Sequence, residues 1–468
     1  MTDLVNSSFN THPSTVMHID LNSCFASIEQ QANPKLRGVP TVVATYPTGG
    51  GCVLAASVEA KRLGIKTGWR VREAQKVYPQ IVVLTPDPQK YRHVHKEMMK
   101  IFESYCGDVV PKSIDEAVLN FNESLPRTTI RGLHGQNPQG KTLRWQPAAE
   151  ARLSAPPVSF LAETAARSVL TRGPTLPEQS PLFQIGRQIK EDIKEKIGEW
   201  LTVSIGIGPN RFLAKTAAGL KKPDGLEEIN HTNAAEIFRK LKVEDLCGIN
   251  VALKSRLNAS GIYSALEFLN ADRYTLNAVF RSVSSYHWYM RLRGFETDDW
   301  STGRKSIGHS YALPKATSDD RELGKILFRL CEKVGMRLRN NNLEARGIYL
   351  WLYFKEGGHF GKSQKISQPI FSTPDIFLHA TRLLSSRSRL TTINSGLITN
   401  IAVGVFELSQ SLYQQQTLFE DQGKKKQLVQ ALDQINNKYG NFSVSFGATS
   451  GLSKRILDRI AFGGIRDM

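Results

Sequence analysis

The sequence predicts an α+β protein of several domains, on three observations. Its 468 residues exceed what one hydrophobic core usually organises. Its N-terminal part alternates short buried-strand runs with amphipathic helical spacing, as in VMHIDL followed by CFASIEQQ. Residues 306–408 repeat that mixture with strands such as IYLWLYF and helices such as RELGKILFRLCEKVGMRLR, which suggests a separate α+β domain.

The elements follow in order. VMHIDLNSCFASIEQQ starts as a buried strand and turns helical at Cys24, Phe25, Ile28 and Glu29, so Asp20 sits where a strand ends and a helix begins. TVVA and CVLAAS read as strands on either side of a TGGG turn at 48–51. VEAKRLG and REAQKVYP read as short helices ended by Gly64 and Pro79. A helix from about Lys90 to Tyr105 leads into PKSIDEAVLNF, residues 111–121, which reads as one strand with Asp115 and Glu116 set into it. On that stretch alone, an acidic pair facing water explains the pattern. Residues 122–182 change character, with frequent Pro, Thr, Ser and Arg and little periodicity, and read as a mostly disordered insertion with a short helix near FLAETAARSVL. Order resumes with the helix IGRQIKEDIKEKIGEWL, the strand VSIGIG, a Pro209-Asn210 turn and the helix RFLAKTAAGL, stopped by KKPDG. Leu213, Ala217 and Leu220 form its inward stripe, with Arg211, Lys215 and Lys222 on the other face. From about 230 to 295 short helices alternate with glycine turns, notably in LCGINVALKSRLNASGI. A linker around STGRKS precedes the α+β segment, and a tail follows with QQQTLFEDQGKKKQ and one more helix.

A formal net charge of +18 points to a polyanionic partner, with nucleic acid ahead of an acidic membrane surface. Five scattered cysteines without a CxxC pair read as reduced thiols of a cytoplasmic protein. The N-terminus lacks the pattern of a signal peptide, and no run of about 18 apolar residues occurs, so neither secretion nor membrane spanning is expected.

An Asp at a strand end together with an acidic pair on a second strand suggests a shared purpose. Three converging carboxylates repel one another and raise their own pKa values unless a cation sits between them. Carboxylate oxygens suit hard ions such as Mg²⁺, and two such ions roughly 3.5–4 Å apart clamp the attacking and leaving oxygens of a phosphoryl transfer. A basic protein with an oxygen-only acidic site is what nucleotidyl transfer to nucleic acid requires.

VMHIDLNSCFASIEQQ, VLAASVEAKRLGIKTG, KSIDEAVLNF, VSIGIGPNRFLAKTAAGLKKPDGL and KSIGHSYALPKAT occur in the order seen in Y-family translesion DNA polymerases of the DinB/UmuC type. The chain resembles that family over about residues 16–120 and 183–410. The resemblance implies a right-hand polymerase: a ferredoxin-like palm from 1–23 and 90–222 interrupted by the 122–182 insertion, small fingers from 24–89, a helical thumb with a helix-hairpin-helix-like turn from 223–300, a linker at 301–305, an α+β little finger from 306–410 and a tail from 411–468. Asp20, Asp115 and Glu116 match the family's catalytic, metal-binding carboxylates, and the backbone carbonyl of Leu21 matches a further ligand of the metal on the nucleotide side; two Mg²⁺ ions are implied. Phe25 matches the steric gate that excludes a ribose 2′ hydroxyl. Lys61 and Lys215 match basic residues that hold the triphosphate, and Ala56 and Ser57 lie where small residues pack against the incoming base pair.

Two departures stand out. Val58 replaces a Tyr that hydrogen-bonds the triphosphate in many relatives, and Lys61 replaces an Arg; Val cannot donate and Lys cannot give a bidentate fork, so weaker nucleotide binding is expected. Lys112 stands where Tyr is more usual. The strands carrying Arg346, Lys355, Lys362 and Lys365 resemble a little finger that tracks the DNA backbone through charge. Tyr349, Trp351 and Tyr353 alternate with Ile348, Leu350 and Leu352, so at least one of the two faces is core, and an aromatic stacking platform is the other use for such a strand. Gln415, Leu418 and Phe419 look like the short peptide by which bacterial polymerases bind the sliding clamp. The function so implied is error-prone, lesion-bypass DNA synthesis by a monomer on primer-template DNA and deoxynucleoside triphosphates, without proofreading. The alternative is a non-catalytic DNA-binding relative that recruits other polymerases or the clamp.

Overall fold

The structure is a computed structural model that describes residues 9–121, 180–297, 305–386, 396–410 and, with single-residue breaks, 422–449. The expected insertion, apart from its last three residues, lies outside the described residues, as do the helix near FLAETAARSVL and the peptide with Gln415, Leu418 and Phe419. In chain order the first elements are β1 (Val16–Leu21), α1 (Cys24–Ala32), β2 (Thr41–Ala44), β3 (Val53–Ala56), α2 (Val58–Arg62), α3 (Val71–Val77), β4 (Val82–Leu84), α4 (Pro88–Tyr105), β5 (Val109–Pro111) and β6 (Glu116–Asn120). Next come α5 (Pro181–Lys196), β7 (Val203–Gly208), α6 (Arg211–Leu220), β8 (Leu226–Glu228), α7 (Ala234–Lys240), α8 (Val251–Ala259), α9 (Ala265–Asn270), α10 (Arg273–Phe280) and α11 (Ser284–Leu292). The last are β9 (Ser306–Thr317), α12 (Asp320–Asn340), β10 (Leu343–Phe354), β11 (His359–Ile370), α13 (Thr373–Ser385), β12 (Ile398–Gln410) and α14 (Gln422–Tyr439).

Contacts divide the chain into two compact units: Met1–Asp20, Glu97–Val110 and Glu116–Glu296 form one, and Leu21–Lys96, Pro111–Asp115 and Thr297–Met468 the other. The first unit is built on a sheet of order β5-β6-β1-β7-β8. β1 and β6 are antiparallel, with Val16 against Asn120 and Asp20 against Glu116. β7 is buried at every residue, as a strand covered on both faces must be. α6 crosses β7 so closely that a Cβ on Gly206 would overlap the Ala214 carbonyl, which only glycine avoids. On its other side α6 sends Phe212, Leu213 and Ala217 into a second core with Phe238, Phe268 and Trp288 from the short helices α7–α11. The turn after α6 is held by Asp224, whose carboxylate pairs with Lys190 at 3.0 Å and Lys194 at 3.3 Å, both from α5. α5 itself is capped by the Ser180 hydroxyl, which accepts from the Leu182 N–H, and begins with Pro181 at its first turn, so residues 180–182 belong to this helix.

The expectation of one strand over 111–121 is corrected. β5 ends at Pro111, residues 112–115 bend, and β6 starts at Glu116. Pro111 has no N–H to donate to a ladder, and the Asp115 carbonyl is taken by the Leu21 N–H at 2.8 Å, so Asp115 stands just before the strand that Glu116 opens.

The second unit contains a small sheet of order β3-β2-β4 over a core that includes Val42, Val53, Ala56, Ala60 and Ile65. It also contains a four-stranded antiparallel sheet of order β11-β10-β12-β9. Leu327, Leu330 and Val334 of α12, with Ile376 and Leu383 of α13, cover one face of that sheet and bury Ile348, Leu350 and Leu352. Arg329 and Glu332 of α12 form a buried ion pair at 3.1 Å. α14 is fastened to this layer: Asp433 accepts from Arg339 at 2.6 and 2.8 Å, and Lys425 donates to Asp375 at 2.7 Å. Among the described residues no helix is long and apolar enough to cross a membrane.

Candidate active site

The cross-strand pairing of β1 with β6 sets Asp20 opposite Glu116. Strand side chains alternate, so His18 shares the face of Asp20. The ligand atoms of His18, Asp20 and Glu116 lie within 4.8 Å of one another, and His18 is buried with its Nε2 4.0 Å from Glu116 Oε2. Two lysines stand on the carboxylates. Lys215 Nζ donates to both Glu116 oxygens at 2.9 and 2.8 Å, and Lys222 Nζ is 2.7 Å from Asp20 Oδ1. Burial works to raise the Glu116 pKa, but the hydrogen bond and charge of Lys215, aided by His18 and Lys222, hold it below the ordinary glutamate value. Burial likewise pulls Lys215 down, and its bond to Glu116 carries it above the usual lysine value.

Asp115 is not one of these three; its carboxylate accepts a short hydrogen bond from the Ser113 hydroxyl. His95 Nδ1 stands 3.1 Å from the Ile114 carbonyl and fixes the bend there. Burial lowers the His95 pKa below the usual histidine value, against the raising effects of that carbonyl and of Asp115.

Phe25, on the first turn of α1, is buried and stacks on Tyr91 of α4 with centroids 4.4 Å apart and planes 11° from parallel. The Tyr91 hydroxyl donates to Glu29 Oε1 at 2.9 Å, and Lys90 Nζ meets the other Glu29 oxygen at 2.6 Å. Phe25 is thus backed by a ring that is itself pinned. Ser57 is fully buried and spends its hydroxyl on structure, accepting from Thr41 N–H and from Ala60 N–H, each at 3.2 Å, as the cap of α2. Val58 and exposed Lys61 follow on that helix.

The basic residues expected to track a backbone do not share one face of the four-stranded sheet. Lys362 pairs with Leu350 and Lys365 with Gly347, which alternation places on opposite sides. His18 and Tyr91 were not singled out in the sequence, and Lys222 and Glu29 were named there only for their helical positions, not as site residues. For His18 a signal existed, its position two residues before Asp20 on a strand; for Lys222 it was the second Lys of KKPDG. Tyr91 and Glu29 meet only through the fold.

The donor set of this cluster fits a hard divalent cation: Asp20 and Glu116 offer oxygens side by side with the His18 imidazole next to them, and the positive charge now resting on the two carboxylates is that of flexible lysine side chains.

Comparisons with known proteins agree with this architecture. Residues 19–219 match the model of the impB/mucB/samB family and residues 304–418 that of the impB/mucB/samB family C-terminal domain, together more than half of the chain. The chain is 26% identical over 407 residues to DNA polymerase IV of Staphylococcus aureus, covering 86% of this chain and 98% of that protein. It is 25% identical over 441 residues to DNA polymerase IV 1 of Bacillus subtilis, covering 93% and 92%. Among solved structures, a Y-family DNA polymerase chimera of Dbh and Dpo4 aligns with a TM-score of 0.62 at 22% identity, over 84% of this chain and 99% of that one, which speaks for the fold. The ordered sequence motifs, the α+β architecture and both family models agree: the chain belongs to the impB/mucB/samB family, the Y-family DNA polymerases of DinB type.

Proposed function

We propose that the chain adds deoxynucleotides to a primer 3′ end under the direction of a DNA template, past damaged bases, without proofreading and as a cytoplasmic monomer. The observation that carries this reading is the pairing of Asp20 with Glu116 across β1 and β6, each under a lysine ammonium. Asp20, Asp115, Glu116 and the Leu21 carbonyl would hold two Mg²⁺ ions. When bound, these supply an activated primer hydroxyl and offset the charge that develops on the α-phosphate. The residues themselves do the rest. Lys215 and Lys222 leave the carboxylates and take the triphosphate, with Lys61 assisting, so positive charge already in the site is reassigned rather than imported. Phe25, held by Tyr91, lies under the sugar and excludes a 2′ hydroxyl. The pyrophosphate leaves along the same lysines. The peptide with Gln415, Leu418 and Phe419 is assigned to the sliding clamp.

The test is primer extension with Mg²⁺ by the wild type and by Asp115→Ala combined with Glu116→Ala. Extension by the wild type and none by the double variant is expected. Tight primer-template binding with no extension by the wild type would instead leave a DNA-binding relative that recruits other polymerases.

A further inference from the structure

The run FNTHPS that leads into β1 is polar apart from Phe9 and Pro13. Thr11, His12 and Pro13 are exposed, yet Phe9 is only 6% exposed. Its ring belongs to the core of Phe212, Leu213, Phe268 and Trp288, all of them far along the chain. Asn10 fastens the same place by polar bonds. Its backbone N–H donates to the Arg293 carbonyl at 2.8 Å and its side-chain amide to the Gly294 carbonyl at 3.0 Å. Its Oδ1 accepts from the His12 N–H at 3.1 Å, which turns the chain towards β1. Gly294, at φ +86°, is held from two sides: a Cβ there would stand 3.0 Å from Pro209, 3.1 Å from Phe9 and 3.2 Å from Asn10.

Pro209 and Asn210 form the turn that starts α6. The first N–H groups of a helix have no partner within it, and here two are met by side chains. Asn210 Oδ1 accepts from the Leu213 N–H at 2.8 Å, and Glu296 Oε2 accepts from the Arg211 N–H at 3.0 Å. Asn210 is 1% exposed, and its amide donates to the carbonyls of Arg291 and Phe295, each at 2.9 Å. One buried side chain thus caps α6 with its oxygen and grips the chain leaving α11 with its nitrogen. Phe212 adds an edge contact to Trp288 of α11, with centroids 5.4 Å apart. α6 also carries Lys215, whose ammonium rests on Glu116. A shift of residues 291–296 therefore withdraws a cap from the helix that holds this lysine.

We propose that the arm ahead of β1 is a strap: Phe9 and Asn10 lock residues 291–296 against Asn210, and through that lock keep α6 and its Lys215 in place over Glu116. Asn210 is a positioning residue, acting through α6. The strap itself does not depend on what the site catalyses.

Hydrogen exchange read by mass spectrometry on the full-length chain tests it, with the wild type set against Phe9→Ala combined with Asn10→Ala. Peptides covering 291–296 and 211–220 are expected to exchange at least about fivefold faster in the variant, the effect of losing one helix cap, with β1 and β6 unchanged. Phe9→Leu, which keeps an apolar plug, should stay within about twofold of the wild type. Asn210→Asp keeps the acceptor for Leu213 but sets an oxygen against two carbonyls, so it should quicken 291–296 while the cap survives. In steady-state incorporation the double variant should raise the KM for nucleotide roughly threefold at unchanged kcat, since Lys215 is assigned to binding. Unchanged exchange at 291–296 and 211–220 in the double variant would overturn the proposal. So would equal quickening of every peptide, quickening at 291–296 alone, or an unmoved KM in an active double variant. If that variant fails to fold, Asn210→Asp decides, and unchanged exchange at 291–296 overturns the lock. Exchange is read without primer or nucleotide, so a wild type that extends no primer removes the polymerase reading and leaves the strap standing.

Discussion

Asp20 and Glu116 are carboxylates brought face to face, and Lys215 and Lys222 set an ammonium against each, which for Glu116 holds the pKa below the ordinary glutamate value. Lys222→Ala should therefore favour Mg²⁺ in the absence of nucleotide, lowering its half-saturation concentration by roughly threefold, while raising the KM for nucleotide by about tenfold, the worth of one charge-assisted hydrogen bond. A Mg²⁺ titration without nucleotide and steady-state incorporation measure the two effects. In metal-free protein, Glu116 is depressed in the folded state, so its contribution to stability is present above the ordinary glutamate range and is lost as the pH falls through its lowered value. Thermal midpoints across the acid range in chelator, compared between wild type and Glu116→Gln, should converge at the acid end. The proposed gate is a two-ring unit: Tyr91→Leu removes the surface on which Phe25 is stacked and should reduce discrimination against ribonucleotides by about tenfold, whereas Tyr91→Phe, which loses only the bond to Glu29, should reduce it less. Single-turnover incorporation of matched deoxy- and ribonucleotides reads the ratio.

At the scale of elements, β1, α1, β7 and α6 could be read from the sequence because each is a long enough run of one period: buried strand, then helix, in VMHIDL–CFASIEQQ and again in VSIGIG–RFLAKTAAGL. The stretch 111–121 was misread for a local reason, since Pro111 and the Leu21–Asp115 bond break a run whose alternation looks continuous. For β10 the expectation that at least one face is core holds, with Ile348, Leu350 and Leu352 under α12 and α13, but both faces are apolar and the choice between them is made by residues distant in the chain. Of the candidate cluster, Asp20 and Glu116 were legible as chemistry, whereas Asp115 stands outside it and His18 and Lys222 are brought to it by sheet register and by the turn after α6. α12 carries the clearest energetic prediction. Arg329 is 1% exposed and its charge is answered inside the layer by Glu332, so Glu332→Ala should cost about 3 kcal/mol by leaving that charge buried with only the Phe442 ring, 4.3 Å away, against it. Replacing both by Met and Leu should cost far less, and urea unfolding of the three proteins distinguishes them.

Across the molecule, the register of β1 with β6 bears on the long stretch that follows Phe121. Glu116 pairs with Asp20 at one end of the ladder and Asn120 with Val16 at the other, four residues or about 13 Å away. The chain therefore leaves β6 at the end remote from the carboxylates, and it re-enters at α5, whose Lys190 and Lys194 hold the turn next to Lys222. Deleting residues 124–178 should leave primer extension within about threefold of wild type, because loop length changes closure entropy only slowly. Substituting Lys190 and Lys194 together should instead loosen the turn beside Lys222 and raise the KM for nucleotide. The clasp of α14 has a consequence of another kind. β12 ends at Gln410, α14 begins at Gln422, and the Arg339–Asp433 and Lys425–Asp375 bridges moor that helix to the same layer that β12 belongs to. The eleven residues between, which include Gln415, Leu418 and Phe419 of the proposed clamp peptide, are joined in the chain to this one unit at both of their ends. A clamp that grips the peptide, as proposed, would be tied to this unit by two covalent strands of chain, as a trailer is by a two-armed drawbar, instead of by a single tether.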